Sequence, residues 1–281
     1  MSMVLHLQQV PARNGNLWIR HGWRVFRRQP LALLGLFAFG FLAGGLLSML
    51  PVVGPVLGMA SVPVFSLGFM LATHQVLQGA QPSVQVFLEP FKLTPARRNT
   101  QLQLCFSFAL LAVLILLGAE RIDGEQQRLA LELMTQPKPD PEALAQALTD
   151  PRLIWGAVVR FGGLGLLAVP WWQAPALVHW GGQGAMHALF SSTLALWRNK
   201  GAFALNGISW MLLTMALSSA FSLVLGLLGL GPLAMYALIP LGMMGAVVFY
   251  AGLYFSFVDC FAFGAPKAAD APQRDDEPGS A

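Results

Sequence analysis

Residues 31–50 read LALLGLFAFGFLAGGLLSML, twenty positions without a charge. About 20 apolar residues suffice for an α-helix to cross a hydrocarbon core roughly 30 Å thick. Pro51, Gly54 and Pro55 follow at once, and a second uncharged run continues past Pro63 and Gly68 to His74. Two spanning helices joined by so short a link make a tight membrane hairpin.

Composition extends that reading to the whole chain. Of 281 residues 56% are hydrophobic and only 11% charged, against about 25% charged in a soluble domain. Within lipid every backbone polar group must be paired internally, which leaves helices or a closed barrel. The apolar runs are continuous and do not alternate as barrel strands do. The expected fold is all-α, a polytopic bundle of six transmembrane helices. The spans fall at about 31–50, 56–77, 102–118, 153–178, 203–228 and 233–257, within a membrane domain covering 31–263. An interface helix lies within 1–30, a polar loop covers 119–152, and the Pro-, Ala- and Asp-rich tail 264–281 reads as disordered.

A net charge of +4 would suggest nucleic acid in a soluble protein. Here the basic residues flank the apolar runs, where they set orientation, and no nucleic-acid partner is expected. Five Lys or Arg precede the first span, three lie between spans two and three, two precede span five and two lie in the tail. All twelve fall on one side of a six-span arrangement, while four fall in the 119–152 loop on the other. The rich side is expected to be cytoplasmic, with both termini inside and the loop outside. No secretory signal is read at the start, because the first apolar run has full span length and no small-residue cleavage pattern. Cys105 and Cys260 fall near the reducing face, so no disulfide is expected.

Between residues 16 and 28, Trp18, Ile19, Gly22, Trp23, Val25 and Phe26 gather on one side of a helical wheel. Arg20, His21, Arg24, Arg27 and Arg28 gather on the other. Trp and Phe opposite Arg is the pattern of a helix lying in the membrane interface. It reads either as a juxtamembrane helix that sets topology or as an anionic-lipid site, and membrane lipid is the expected partner. Arg198 and Lys200 join this candidate lipid interface. Two further amphipathic pieces are expected: Gln81–Phe91, with Val84, Phe87, Leu88 and Phe91 at helical spacing, and Met186–Lys200, with Met186, Leu189, Phe190, Leu194, Leu196 and Trp197 along one side.

The outer hairpins match each other. Gly54-Pro55, Pro63 and Gly68 have the spacing of Gly231-Pro232, Pro240 and Gly245. Upstream, Phe26-Arg27-Arg28-Gln29-Pro30 echoes Trp197-Arg198-Asn199-Lys200-Gly201. The middle hairpin follows loosely, with Arg97 and Arg98 before it and Pro170 inside it. This is a tandem, parallel hairpin repeat. Pro63, Pro170 and Pro240 break helices in mid-membrane; such breaks either splay the hairpins or line a cavity.

Arg160 is the one charge well inside a span. It either snorkels to the outer surface or marks a functional intramembrane site, and Asp150 or Glu120 would be its partner. His74, His179 and Asp259 lie near span ends without metal-like spacing. No nucleophile elbow, phosphate loop, zinc motif or Cys-x-x-Cys occurs, so neither a cofactor nor an enzymatic activity is expected.

Ala174-Pro175-Ala176-Leu177-Val178, a Gly-rich turn, Ala188-Leu189-Phe190-Ser191 and Trp197-Arg198-Asn199-Lys200-Gly201 resemble a family of uncharacterised bacterial six-span inner-membrane proteins, and Gly22-Trp23 to Arg28 fits too. A looser likeness is to the membrane domain attached to some glycerophosphoryl diester phosphodiesterases. The resemblance implies a fold and an inner-membrane location, and no catalytic residues. Two roles follow as expectations: a non-enzymatic accessory protein that organises envelope components, or a permease or lipid-handling carrier with a site near Pro63, Pro240 and Arg160. A polar cavity would favour the carrier, and a dry core the accessory role.

Overall fold

The computed structural model describes residues 4–136, 140–230 and 234–264. The Gly231-Pro232 turn, Pro137, Pro139 and the 265–281 tail lie outside the described residues.

Among the described residues six helices are long and apolar enough to span a membrane: Pro30–Ser48, Gly54–Leu77, Pro95–Thr135, the run Pro151–Gly181, Lys200–Leu227 and Leu238–Cys260. We label the helices α1 (Asn14–Arg28), α2 (Pro30–Ser48), α3 (Gly54–Leu77), α4 (Pro95–Thr135), α5 (Pro141–Leu148), α6 (Pro151–Ala157), α7 (Gly163–Trp171), α8 (Ala174–Gly181), α9 (Ala185–Arg198), α10 (Lys200–Leu227) and α11 (Ala234–Cys260). A π-helical turn, Val158–Gly162, joins α6 to α7. The expected spans are all present, so the protein is an all-α polytopic bundle.

Local chemistry sets the ends of these elements. Proline opens α2, α4, α5 and α6, where its missing N–H is one the helix start leaves unpaired anyway. Asp140 caps α5 by accepting from the Glu142 and Ala143 amides, and Asp150 caps α6 by accepting from Arg152. At 41 residues, α4 is about 60 Å long, twice the hydrocarbon thickness. Its second half therefore leaves the lipid as a rod against which α5 and α6 fold back.

Two expectations are corrected. The 1–30 segment holds more than an interface helix: β1 (Val4–Leu7) pairs antiparallel with β2 (Phe261–Gly264), in register Leu7 to Phe261, and so joins the two ends of the membrane domain. Residues 81–91 form two 3₁₀ turns, Val84–Phe87 and Glu89–Phe91, instead of an α-helix. Pro82 and Pro90 deny it the amides an α-helix needs, and the tighter period buries Val86 while Val84 and Leu88 face outward. The amphipathic stripe expected on α9 is divided between protein and surroundings, with Leu189 packed against the core. Ala188, Ser192 and Ala195 are buried, whereas Met186, Phe190 and Trp197 are mostly exposed.

The packing follows a cyclic plan. Hairpin α2–α3 is led by α1, hairpin α4–α8 by the 3₁₀ turns, and hairpin α10–α11 by α9. Each leading segment packs on the hairpin before its own: the 3₁₀ turns on α2 and α3, α9 on α7 and α8, and α1 on α10 and α11. The corner from leading helix to span is one residue in both outer units, Gln29 and Asn199.

Candidate lipid interface and intramembrane ion pair

Helix α1 puts its apolar face on protein. Trp18, Val25 and Phe26 are buried. Gly15 and Gly22 lie so close to α10 and α11 that a Cβ would collide with the carbonyls of Ala202 and Val248. Asp259 on α11 accepts from Trp18 Nε1 at 2.7 Å and Asn14 Nδ2 at 2.9 Å. Asn206 donates to the Gly15 carbonyl at 2.8 Å, and Ser209 donates to Asn16 Oδ1 at 2.6 Å. The apolar side of the wheel was read as facing lipid; docking on α10 and α11 replaces that contact, and Trp23 is the large apolar side chain left outside.

Arg20, Arg24, Arg27 and Arg28 are all exposed on the opposite face, and so are Arg198 and Lys200. The Lys200 ammonium lies 5.2 Å from the centre of the Trp197 ring, a cation–π distance. Among the described residues none of these six cations forms an ion pair. The structure thus presents a row of free cations along α1 and, at the α9–α10 corner, a smaller cationic site beside the outward Met186, Phe190 and Trp197.

Asn199 was singled out only as part of a motif, and the structure gives it a task. Its side chain accepts from the Val10 amide at 2.8 Å and donates to the carbonyls of Gln8 at 3.1 Å and Ala195 at 3.0 Å. It ties the α9–α10 corner to the strand that clips the chain ends together. The motif signal was there in the sequence; its partners, 189 and 191 residues away, were not.

Arg160 is paired, but not to the expected acids. Its guanidinium grips Asp123 with two hydrogen bonds, 3.0 Å to Oδ2 and 2.9 Å to Oδ1. Asp150 is occupied as the α6 cap. Asp123 is 1% exposed and the Arg160 side chain 18%. Asp123 was missed because 119–152 reads as solvated loop. The clue was Gly156, four residues before Arg160 on a helix otherwise lined with bulk: a Cβ there would collide with the Asp123 carboxylate. The π turn that carries Arg160 offsets the helix so that the guanidinium meets α4.

The three prolines do not converge. Pro63 is buried in the α3 packing, Pro170 is half-buried and Pro240 is exposed. The interior between the hairpins is filled by rings: Phe65 lies 5.0 Å from Phe69 and 5.0 Å from Tyr250, and Phe37 reaches both phenylalanines. A large cavity lies elsewhere, on the outside of the bundle. It is an apolar groove of about 620 Å³ between α10 and α11, bounded below by Ile19, Trp23 and Trp210.

No family model matches the chain, and no solved structure does. A protein of Burkholderia thailandensis named a probable inner membrane protein is 26% identical over 273 residues, spanning 97% of this chain and all of that one. With a relative of that description along its length and six helices fit to span, the chain is a multi-pass protein of the bacterial inner membrane.

Proposed function

We propose that the protein is a non-enzymatic accessory of the inner membrane, a rigid platform whose basic face lies on the cytoplasmic leaflet and whose α4–α5 arm reaches the exterior. The observation that carries this reading is the aromatic packing that fills the interior between the hairpins. A permease of the alternating type lines a midplane path with broken-helix carbonyls and charges that face water. Here Pro63 is packed in protein, the Arg160 charge is matched by Asp123, and tilted and edge-to-face rings of Phe37, Phe65, Phe69 and Tyr250 occupy the place of a path. In lipid such packing gains by close dispersion contact and not by expulsion of water, so it favours one fixed arrangement.

Hydrogen–deuterium exchange of the full chain in nanodiscs tests the proposal. Amides of α3 following Pro63 and of α11 from Met244 to Leu253 should stay protected for hours. Exchange there within minutes would mean that the interior opens to water, and the carrier reading would replace this one.

A further inference from the structure

The α10–α11 groove has a counterpart inside the same molecule, and the counterpart is filled. In the first hairpin the facing glycines of α2 and α3, Gly40 and Gly68, leave a slot that the Phe87 ring occupies: a Cβ on Gly68 would collide with that ring. Phe87 stacks 5.7 Å from Phe65 and 6.4 Å from Phe39. In the last hairpin the repeat spacing puts Gly245 where Gly68 stands. Trp210, eleven residues past the Asn199 corner as Gly40 is past Gln29, narrows the base of the slot. Above it the slot is open, and a Cβ on Gly245 would meet only Trp210, at 3.9 Å. Among the described residues none plugs it as Phe87 plugs the first. Helix α10 accordingly buries one of its 28 residues, Ala202.

We infer that this groove holds one acyl chain of an anionic phospholipid whose phosphate is gripped by Arg20 and Arg27. The groove walls are apolar stripes at helical spacing, including Leu213 and Leu217 on α10 and Leu241 and Gly245 on α11. Its 620 Å³ falls in the range of ligand sites, roughly 300–1,000 Å³. From Phe249 to Leu238 it runs eleven residues of α11, about 16 Å, which is half of a hydrocarbon core roughly 30 Å thick. It therefore suits a chain from the leaflet on the arginine side. At that end Trp23 closes the groove, and Arg20 and Arg27 stand at i−3 and i+4 from it, on one stripe of α1. Helix α1 carries four arginines and no acid, so the charge at the mouth suits a phosphate and rejects a cationic group. A zwitterionic headgroup lacks the net charge to match it. Trp23 sits where headgroup and chain meet, its usual depth.

The inference names the lipid partner of the proposed platform and rests on that reading, yet it can fail while the amide protection above holds. The test uses the full chain in nanodiscs of equal phosphatidylglycerol and phosphatidylcholine, with lipids still bound after release counted by native mass spectrometry. A phosphatidylglycerol carrying a photoreactive acyl chain maps the contact. The expected result is one retained phosphatidylglycerol, favoured at least tenfold over phosphatidylcholine, with crosslinks on residues 213–218 and 238–246. Gly245→Phe, which supplies the missing plug, should abolish retention and crosslinks. Arg20→Gln with Arg27→Gln should erase the headgroup preference, and Arg20→Lys with Arg27→Lys should keep most of it. Both sets alter exposed or open positions, and unchanged α-helical content checks the fold. Equal retention of both lipids by the unaltered chain, or crosslinks that survive Gly245→Phe, would overturn the inference. So would a dimer crosslinked through α10, since a second copy would then be the occupant.

Discussion

The Arg160–Asp123 pair makes an asymmetric prediction. At an effective dielectric constant of about 20, two unit charges about 4 Å apart attract by about 4 kcal/mol, and breaking a buried pair by removing one partner costs about 3–5 kcal/mol. The two partners are not equally trapped, with Asp123 at 1% exposure and the Arg160 side chain at 18%. Arg160→Met strands the carboxylate against Gly156 and α4 and should cost about 4 kcal/mol. Asp123→Asn leaves Arg160 with a neutral acceptor and a short route to water, and should cost about half as much. Arg160→Met with Asp123→Leu removes both charges and should recover most of the loss, because an apolar pair of similar volume is no worse than a buried ion pair. The assay is reversible unfolding of the purified chain in mixed detergent, read as a double-mutant cycle. If the single changes cost the same, or the coupling falls below about 0.5 kcal/mol, the carboxylate is solvated and the pair does not hold α4 to the fourth span.

Other changes have equally definite outcomes. Asn199→Ala leaves the Val10 amide without its partner and should cost about 2 kcal/mol, with faster proteolysis near Arg13 as the check. Gly22→Leu cannot fit against the Val248 carbonyl, so α1 should undock and its arginines become trypsin-sensitive while the six spans remain. Val52, β-branched and 95% exposed, sits at φ 65° in the first hairpin turn; Val52→Gly should relieve that strain and raise stability by about 1 kcal/mol. For orientation, Asp140→Cys should react in intact cells with a membrane-impermeant maleimide that passes the outer envelope, and reaction only in inverted vesicles would reverse the assignment.

The spans were legible because the hydrocarbon thickness imposes a length and a composition that no other constraint mimics. The caps at Asp140 and Asp150, each an Asp before a Pro, are local signals, because each acts on amides two or three residues away. What escaped was whatever depends on contact between distant segments. The wheel of residues 16–28 separates Trp18 from Arg20 correctly, but it cannot tell whether lipid or α11 meets Trp18. The wheel of α9 puts its large side chains on one side but cannot tell which residues meet protein. In a membrane small residues let helices approach and large ones can face lipid, and Ala188, Ser192 and Ala195 are the ones buried. Asp123 was hidden by its neighbours: five of the seven residues from 120 to 126 are polar or charged on their face value, and only the facing glycine at 156 marks it as enclosed.

The cyclic packing explains why the molecule is uneven where its repeat is regular. Each leading segment serves the hairpin before it, so a linear chain of three units has two internal contacts of this kind and must close the third by bringing its start to its end. That closure is α1 on α10 and α11, held by Asp259, Asn206 and Asn199 and clipped by the β1–β2 pair. Because α1 belongs to the first unit and must turn at Gln29 into its own span, it covers only the basic end of the last hairpin, with Ile19 and Trp23 at the edge of the slot. Among the described residues none fills the rest of that slot. The open groove and the arginine row beside it are therefore one consequence of a single geometric fact, and a change that undocks α1, such as Gly22→Leu, should cost the protein both at once.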